Sequence, residues 1–120
     1  MAGEISFSAA LSASKGGAQA AGTASGTADL AGTEMIASVQ NFTTEDGQAI
    51  SVGGCDTVQA LYVYNMDSTN TLTVSLNTTH TQVLSVIPAT KCVLFWGVST
   101  TLYAKAGAST VDAYVVAIET

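Results

Sequence analysis

Charge is scarce in this 120-residue chain: 10% of its residues are Asp, Glu, Lys or Arg, and arginine is missing altogether. An ordinary globular domain carries roughly 25%. Three lysines against nine acids leave a net charge of −6. A chain so poor in cations cannot displace the counterions of a phosphate backbone, which excludes DNA and RNA as partners and disfavours anionic membrane surfaces. Long apolar runs are missing too, and stretches such as Cys92–Trp96 fall far short of the roughly 20 residues that a membrane helix needs. The first residues, MAGEISFSAALSAS, place Glu4 where a secretion signal would carry positive charge, and serines interrupt their apolar residues. This points to synthesis in a cytoplasm. The two cysteines, Cys55 and Cys92, are too few and too far apart for a disulfide framework or a metal knuckle, and both are expected reduced, with Cys92 buried beside Val93.

What is abundant is period-two alternation. Ile5, Phe7, Ala9 and Leu11 alternate with Ser6, Ser8 and Ser12, which predicts a first strand that ends at Lys15-Gly16-Gly17. From Ala18 to Gly32 almost every residue is Ala, Gly, Ser or Thr. Such a segment buries little apolar area, so a flexible or extended arm is expected, or an arm that orders against a neighbouring subunit. Strands are predicted over Glu34–Phe42, at Ile50–Val52, and over Leu61–Leu76 as a central hairpin whose turn is built from Asn65, Asp67, Ser68 and Asn70. Val83–Ile87 and Cys92–Val98 read as a second hairpin around Pro88. Strands at Leu102–Lys105 and Val111–Ile118 follow. Helical periodicity is not convincing anywhere. The expectation is an all-β chain: a single-domain β-sandwich or jelly roll of about eight short antiparallel strands, with residues 1–32 as first strand plus arm and residues 33–120 as body.

No residue set announces chemistry. His80, the one histidine, sits in the polar loop Asn77-Thr78-Thr79-His80 and reads as solvent-facing. Zinc would need further ligands, and a hydrolytic triad an acid and a nucleophile. Glu45-Asp46 reads as an acid pair in a turn, since Asp46-Gly47 lacks the spaced carboxylates of a calcium loop. Gly16-Gly17 and Gly53-Gly54 are not followed by the Lys-Ser/Thr or the helix start of a phosphate loop. Asn41-Phe42-Thr43 and Asn77-Thr78-Thr79 fit glycosylation acceptors without a secretion signal to support them. Tyr62, Tyr64, Phe95, Trp96, Tyr103 and Tyr114 are expected mainly to fill the core; gathered on one concave face they would instead make a sugar-binding platform. No catalytic residue, cofactor or metal is expected, and the chain reads as non-enzymatic.

Several segments carry a resemblance. Lys15-Gly16-Gly17 after an Ile-Ser-Phe-Ser-Ala-Ala-Leu-Ser strand, the Leu61–Asn70 segment, Ile87-Pro88-Ala89, and Leu102-Tyr103-Ala104-Lys105-Ala106 before a closing Val111–Glu119 strand together resemble small virion proteins of tailed bacteriophages. The resemblance implies a β-sandwich or jelly-roll subunit present in many copies on a particle, made in the host cytoplasm. Its implied role is a capsid decoration, or cement, protein on the outer surface of the head, with the major capsid protein and further copies of itself, as a trimer or dimer, for partners. Another virion component (head fibre base, neck or tail protein) and a carbohydrate-binding adhesion module are the alternatives. The residues expected at capsid or subunit contacts are Lys15, Gly16, Gly17, Gly22, Gly26 and Gly32, with strand edges contributing.

Overall fold

The computed structural model describes residues 3–30, 32 and 34–119. The chain divides into two compact units, Met1–Ala31 and Gly32–Thr120. Among the described residues there are nine strands and no helix.

The first unit is a β-hairpin of β1 (Ile5–Lys15) and β2 (Ala18–Ala28). The strands pair antiparallel from Ile5↔Ala28 to Lys15↔Ala18, without a break in register. Gly16 (φ 59°) and Gly17 (φ 85°) form the two-residue turn. Positive φ at both positions is what a type I′ turn needs to match the twist of its strands. Of the flexible and extended forms expected for this arm, the extended one is found over Ala18–Ala28, as a regular strand paired with β1. Pairing satisfies the backbone polar groups without core burial, and closing a two-residue loop costs little entropy. At the open end the Gly3 amide donates to Asp29 Oδ1 (2.7 Å) and the Leu30 amide to Glu4 Oε2 (3.2 Å).

The second unit contains β3 (Met35–Phe42), β4 (Val58–Asn65), β5 (Leu72–Ser75), β6 (Val83–Ile87), β7 (Cys92–Val98), β8 (Tyr103–Ala106) and β9 (Val111–Glu119). They form a four-stranded sheet, β3-β9-β4-β7, and a three-stranded sheet, β6-β5-β8, with every pair antiparallel. Leu61, Val63, Val111 and Val115 of the first sheet share one buried cluster with Leu72, Val74, Ile87 and Ala104 of the second. The architecture is all-β and sandwich-like. The short strand expected at Ile50–Val52 shrinks to a bridge between Ala49 and Tyr103, beside which the Ile50 amide donates to Leu102 O (2.8 Å).

Neither expected hairpin forms. β4 and β5 belong to different sheets, as do β6 and β7. Hydrogen-bonded as a hairpin, β4 and β5 would present Leu61, Val63, Leu72 and Val74 on one face of one sheet. Crossing between sheets lets these side chains pack against each other instead. Asn65, buried completely, ties the two crossings together. Its Nδ2 donates to Asn70 O (2.9 Å) and Ile87 O (3.1 Å), and its Oδ1 accepts from the Asp67 amide (2.9 Å). Its backbone N–H donates to Lys91 O and its carbonyl accepts from the Thr90 amide. Asp67 Oδ1 in turn accepts from the amides of Thr69 and Asn70, which holds the first crossing as an Asx turn.

Candidate interaction surface

Alternation fixes which side chains of the four-stranded sheet point away from the core. Register aligns them in three rows across β3, β9, β4 and β7: Met35, Ile118, Ala60 and Trp96; then Ala37, Val116, Tyr62 and Leu94; then Val39, Tyr114, Tyr64 and Cys92. None of these residues is charged. At one end the rows give way to Asn41 and Asp112, joined by an Asn41 Nδ2–Asp112 Oδ1 hydrogen bond of 2.7 Å. At the other end lie Glu34 and Glu119, where Glu119 Oε2 accepts from the Glu34 amide (3.0 Å).

Four of the aromatic residues expected to fill the core thus stand on the outer face: Tyr62, Tyr64, Trp96 and Tyr114. Phe95, one residue out of phase with Trp96, packs against the core as expected. The rings of Tyr62 and Tyr114 meet edge to face, 6.5 Å apart at 72°. Burial among these neighbours pushes the Tyr62 hydroxyl up from its usual pKa, and the adjacent Cys92 thiol adds to the shift. Cys92 was expected to be buried; it is exposed, because it lies in the outward phase of β7 while Val93 points inward. Both cysteines are free thiols.

The hairpin carries a second patterned surface. On one face Ile5, Phe7, Ala9, Leu11 and Ala13 lie opposite Ala28, Gly26, Ala24, Gly22 and Ala20; on the other, Ser6, Ser8, Ser12 and Ser14 lie opposite Thr27, Ser25, Ala21 and Gln19. The contact residues expected from sequence fall here as follows. Lys15 ends β1, Gly16 and Gly17 make the turn, Gly22 faces Leu11 and Gly26 faces Phe7. A Cβ on Gly26 would stand 3.2 Å from two carbons of the Phe7 ring, so the glycine gives that ring its seat. Gly32 is not on the hairpin; it opens the second unit.

Two further groups have chemical potential. His80 is half-buried, which corrects its solvent-facing assignment. Its Nδ1 lies 2.6 Å from Ser75 Oγ, itself fully buried, while its Nε2 is buried with no hydrogen-bond partner among the described residues. The pair closes the β5–β6 loop, since Ser75 Oγ also donates to Asn77 O (3.1 Å). A cavity of about 260 Å³ opens among Ile50, Val52, Cys55, Asp56, Leu61 and Leu102. Burial pushes the Cys55 thiol up, with the carboxylates of Glu119, Glu34 and Asp56 adding to it, so the sulfur facing this cavity is a thiol, the less nucleophilic form. Asp46, from the expected acid pair, forms an ion pair with Lys105 (2.8 Å), which holds its carboxyl below the usual range. Among the described residues no three His, Cys, Asp or Glu side chains cluster as metal ligands, and no helix is long and apolar enough to cross a membrane. Comparison with protein-family models, with curated proteins and with solved structures returns no match for this chain.

Proposed function

We propose that this chain is a non-enzymatic structural subunit of a bacteriophage virion, a capsid decoration protein that attaches to the major capsid protein on the outer surface of the head. The observation that carries this reading is the hairpin. Two eleven-residue strands present Leu11, 79% exposed, and the half-buried Phe7 on a face otherwise built of mostly exposed alanine and glycine, with Ile5 buried at the open end. A two-stranded ribbon is only marginally stable by itself in water. Seated on a neighbouring subunit it gains that subunit's apolar surface, and the small stabilisation per copy multiplies over a lattice of many copies. The few charges of the chain suit a surface largely covered by neighbours.

Cryo-electron microscopy of particles carrying the protein tests this directly. Density bridging capsomers in hundreds of copies is expected, with the hairpin in contact with the shell. Density confined to a neck, tail or fibre position would move the role to that part of the virion. Leu11→Ser should weaken attachment while leaving the circular dichroism of the body unchanged. A second reading, a carbohydrate-binding adhesion module, is favoured by Tyr62, Tyr64, Trp96 and Tyr114 sharing one outward face. Binding of the purified protein to immobilised glycans, lost in Trp96→Ala, would select it.

A further inference from the structure

We infer that the outward face of the four-stranded sheet is a self-association surface, on which a second copy of this chain packs sheet to sheet about a two-fold axis. This goes beyond attachment to a particle and does not depend on it, because it concerns the purified protein alone.

Area is the first ground. Met35 is 59% exposed, Val39 57%, Trp96 42%, Leu94 40% and Tyr114 38%. With about 180 Å² as the accessible area of an average side chain of this size, these five leave roughly 400 Å² in water. Ala37, Cys92 and the half-buried Tyr62, Tyr64, Val116 and Ile118 bring the patch to about 650 Å². The largest apolar patch of an ordinary monomer is about 300–600 Å². Two such faces bury up to about 1,300 Å² when fully covered, which reaches the lower part of the ~1,200–2,000 Å² of a stable interface.

Charge and shape select the occupant. Each copy carries −6, yet its acids stand outside the rows, Glu34 and Glu119 at one end and Asp112 at the other. Two copies can therefore bring these faces together without setting like charges opposite each other at the centre. Partners rich in cations would be drawn to the acidic ends instead. The face belongs to one continuous sheet, and two sheets stack about 10 Å apart with their strands rotated by roughly 30°. The tyrosine hydroxyls keep hydrogen-bonding ends for the rim.

Sedimentation equilibrium of the full chain from about 1 to about 200 µM, a range that brackets micromolar dissociation constants, tests the assignment. Dimer is expected within this range, with the dissociation constant raised at least tenfold by Val39→Lys and by Leu94→Lys. Both sites are exposed, so the variants should keep the wild-type circular dichroism and, at dilution where all are monomeric, the wild-type thermal midpoint. Raising salt from about 0.05 to about 0.5 M should tighten the dimer, because it screens the acidic ends. Alkylation of Cys92 should slow as protein concentration rises. A species that stays monomeric at about 200 µM would overturn the assignment. So would a dimer insensitive to both lysines but abolished by Leu11→Lys, which would place self-association on the hairpin, or a dimer that salt dissociates.

Discussion

Removing the side chain of Asn65 should be the most damaging single polar truncation in the body. Asn65→Ala takes away three hydrogen bonds, to Asn70 O, Ile87 O and the Asp67 amide, at a position with no exposure. A net hydrogen bond contributes about 1 kcal/mol, and a buried group left without its partner costs about 1–3 kcal/mol. The Ile87 carbonyl falls in the costly class, since Ile87 is itself buried, whereas Asp67 and Asn70 are half-buried and regain water in part. Together these give a loss of about 3–4 kcal/mol, a large fraction of the 5–15 kcal/mol that holds an ordinary domain. Urea unfolding followed by Trp96 fluorescence should show a lowered midpoint at unchanged slope. Asn70→Ala is the control, because its side chain makes one long contact of 3.5 Å to Asp67 Oδ2. It should cost well under about 1 kcal/mol. A loss below about 1 kcal/mol for Asn65→Ala, or one equal to that of Asn70→Ala, would show that the crossings are not held by this residue.

Gly53 has φ +61° and a Cβ there would stand 2.4 Å from Ile36 Cγ2, so Gly53→Ala should destabilise by about 2–3 kcal/mol in the same assay. Gly47 (φ +81°) has open space around it, and Gly47→Ala should cost only the backbone strain of about 1 kcal/mol. Asp67 gives an acid limb. The backbone amides of Asn70 and Thr69 hold its folded pKa below the ordinary 3.8. The stabilisation is thus full above that value and disappears as pH falls through the folded pKa. The urea midpoint should fall on acidification below about pH 4, and fall less steeply in Asp67→Asn. In dilute protein a thiol reagent should modify exposed Cys92 quickly and buried Cys55 only on unfolding; equal rates would contradict their placement.

Strand character was largely legible because alternation over Leu72–Val74 and Val111–Ala117 reports one buried face directly, while over Ile5–Leu11 it marks a strand whose apolar positions are left mostly exposed. Strand partners were not. The polar linkers Asn65–Asn70 and Pro88–Lys91 fit a hairpin turn and a crossing between sheets equally well, and only the buried position of Asn65 separates the two. Ala18–Ala28 was not read as a paired strand because its stability comes from backbone pairing with β1, for which Ala, Gly, Ser and Thr leave little side-chain signature. The outward face was hidden for a related reason. Tyr62, Tyr64, Val116 and Ile118 flank inward residues that are equally apolar, so side-chain polarity alone does not tell the outward face of β4 or of the end of β9 from the inward one. The offset between Trp96 and Phe95 in a run of five apolar residues becomes visible once the register with β4 is known.

The path of the chain between the two sheets also sets how the molecule reaches its fold. In the body, β5 and β6 are the one pair of consecutive strands that hydrogen-bond to each other among the described residues. Every other ladder must wait for segments distant in sequence, and Met35 meets Ile118 only after nearly the whole body has been placed. Loop closure therefore precedes most of the energetic return, which puts the body among the slow, millisecond-to-second folders. The hairpin is the opposite case, since all its pairings close over one two-residue turn, and such ribbons form in about 1–10 µs. Refolding should resolve into a fast phase confined to residues 3–30 and a much slower one in which both sheets appear together.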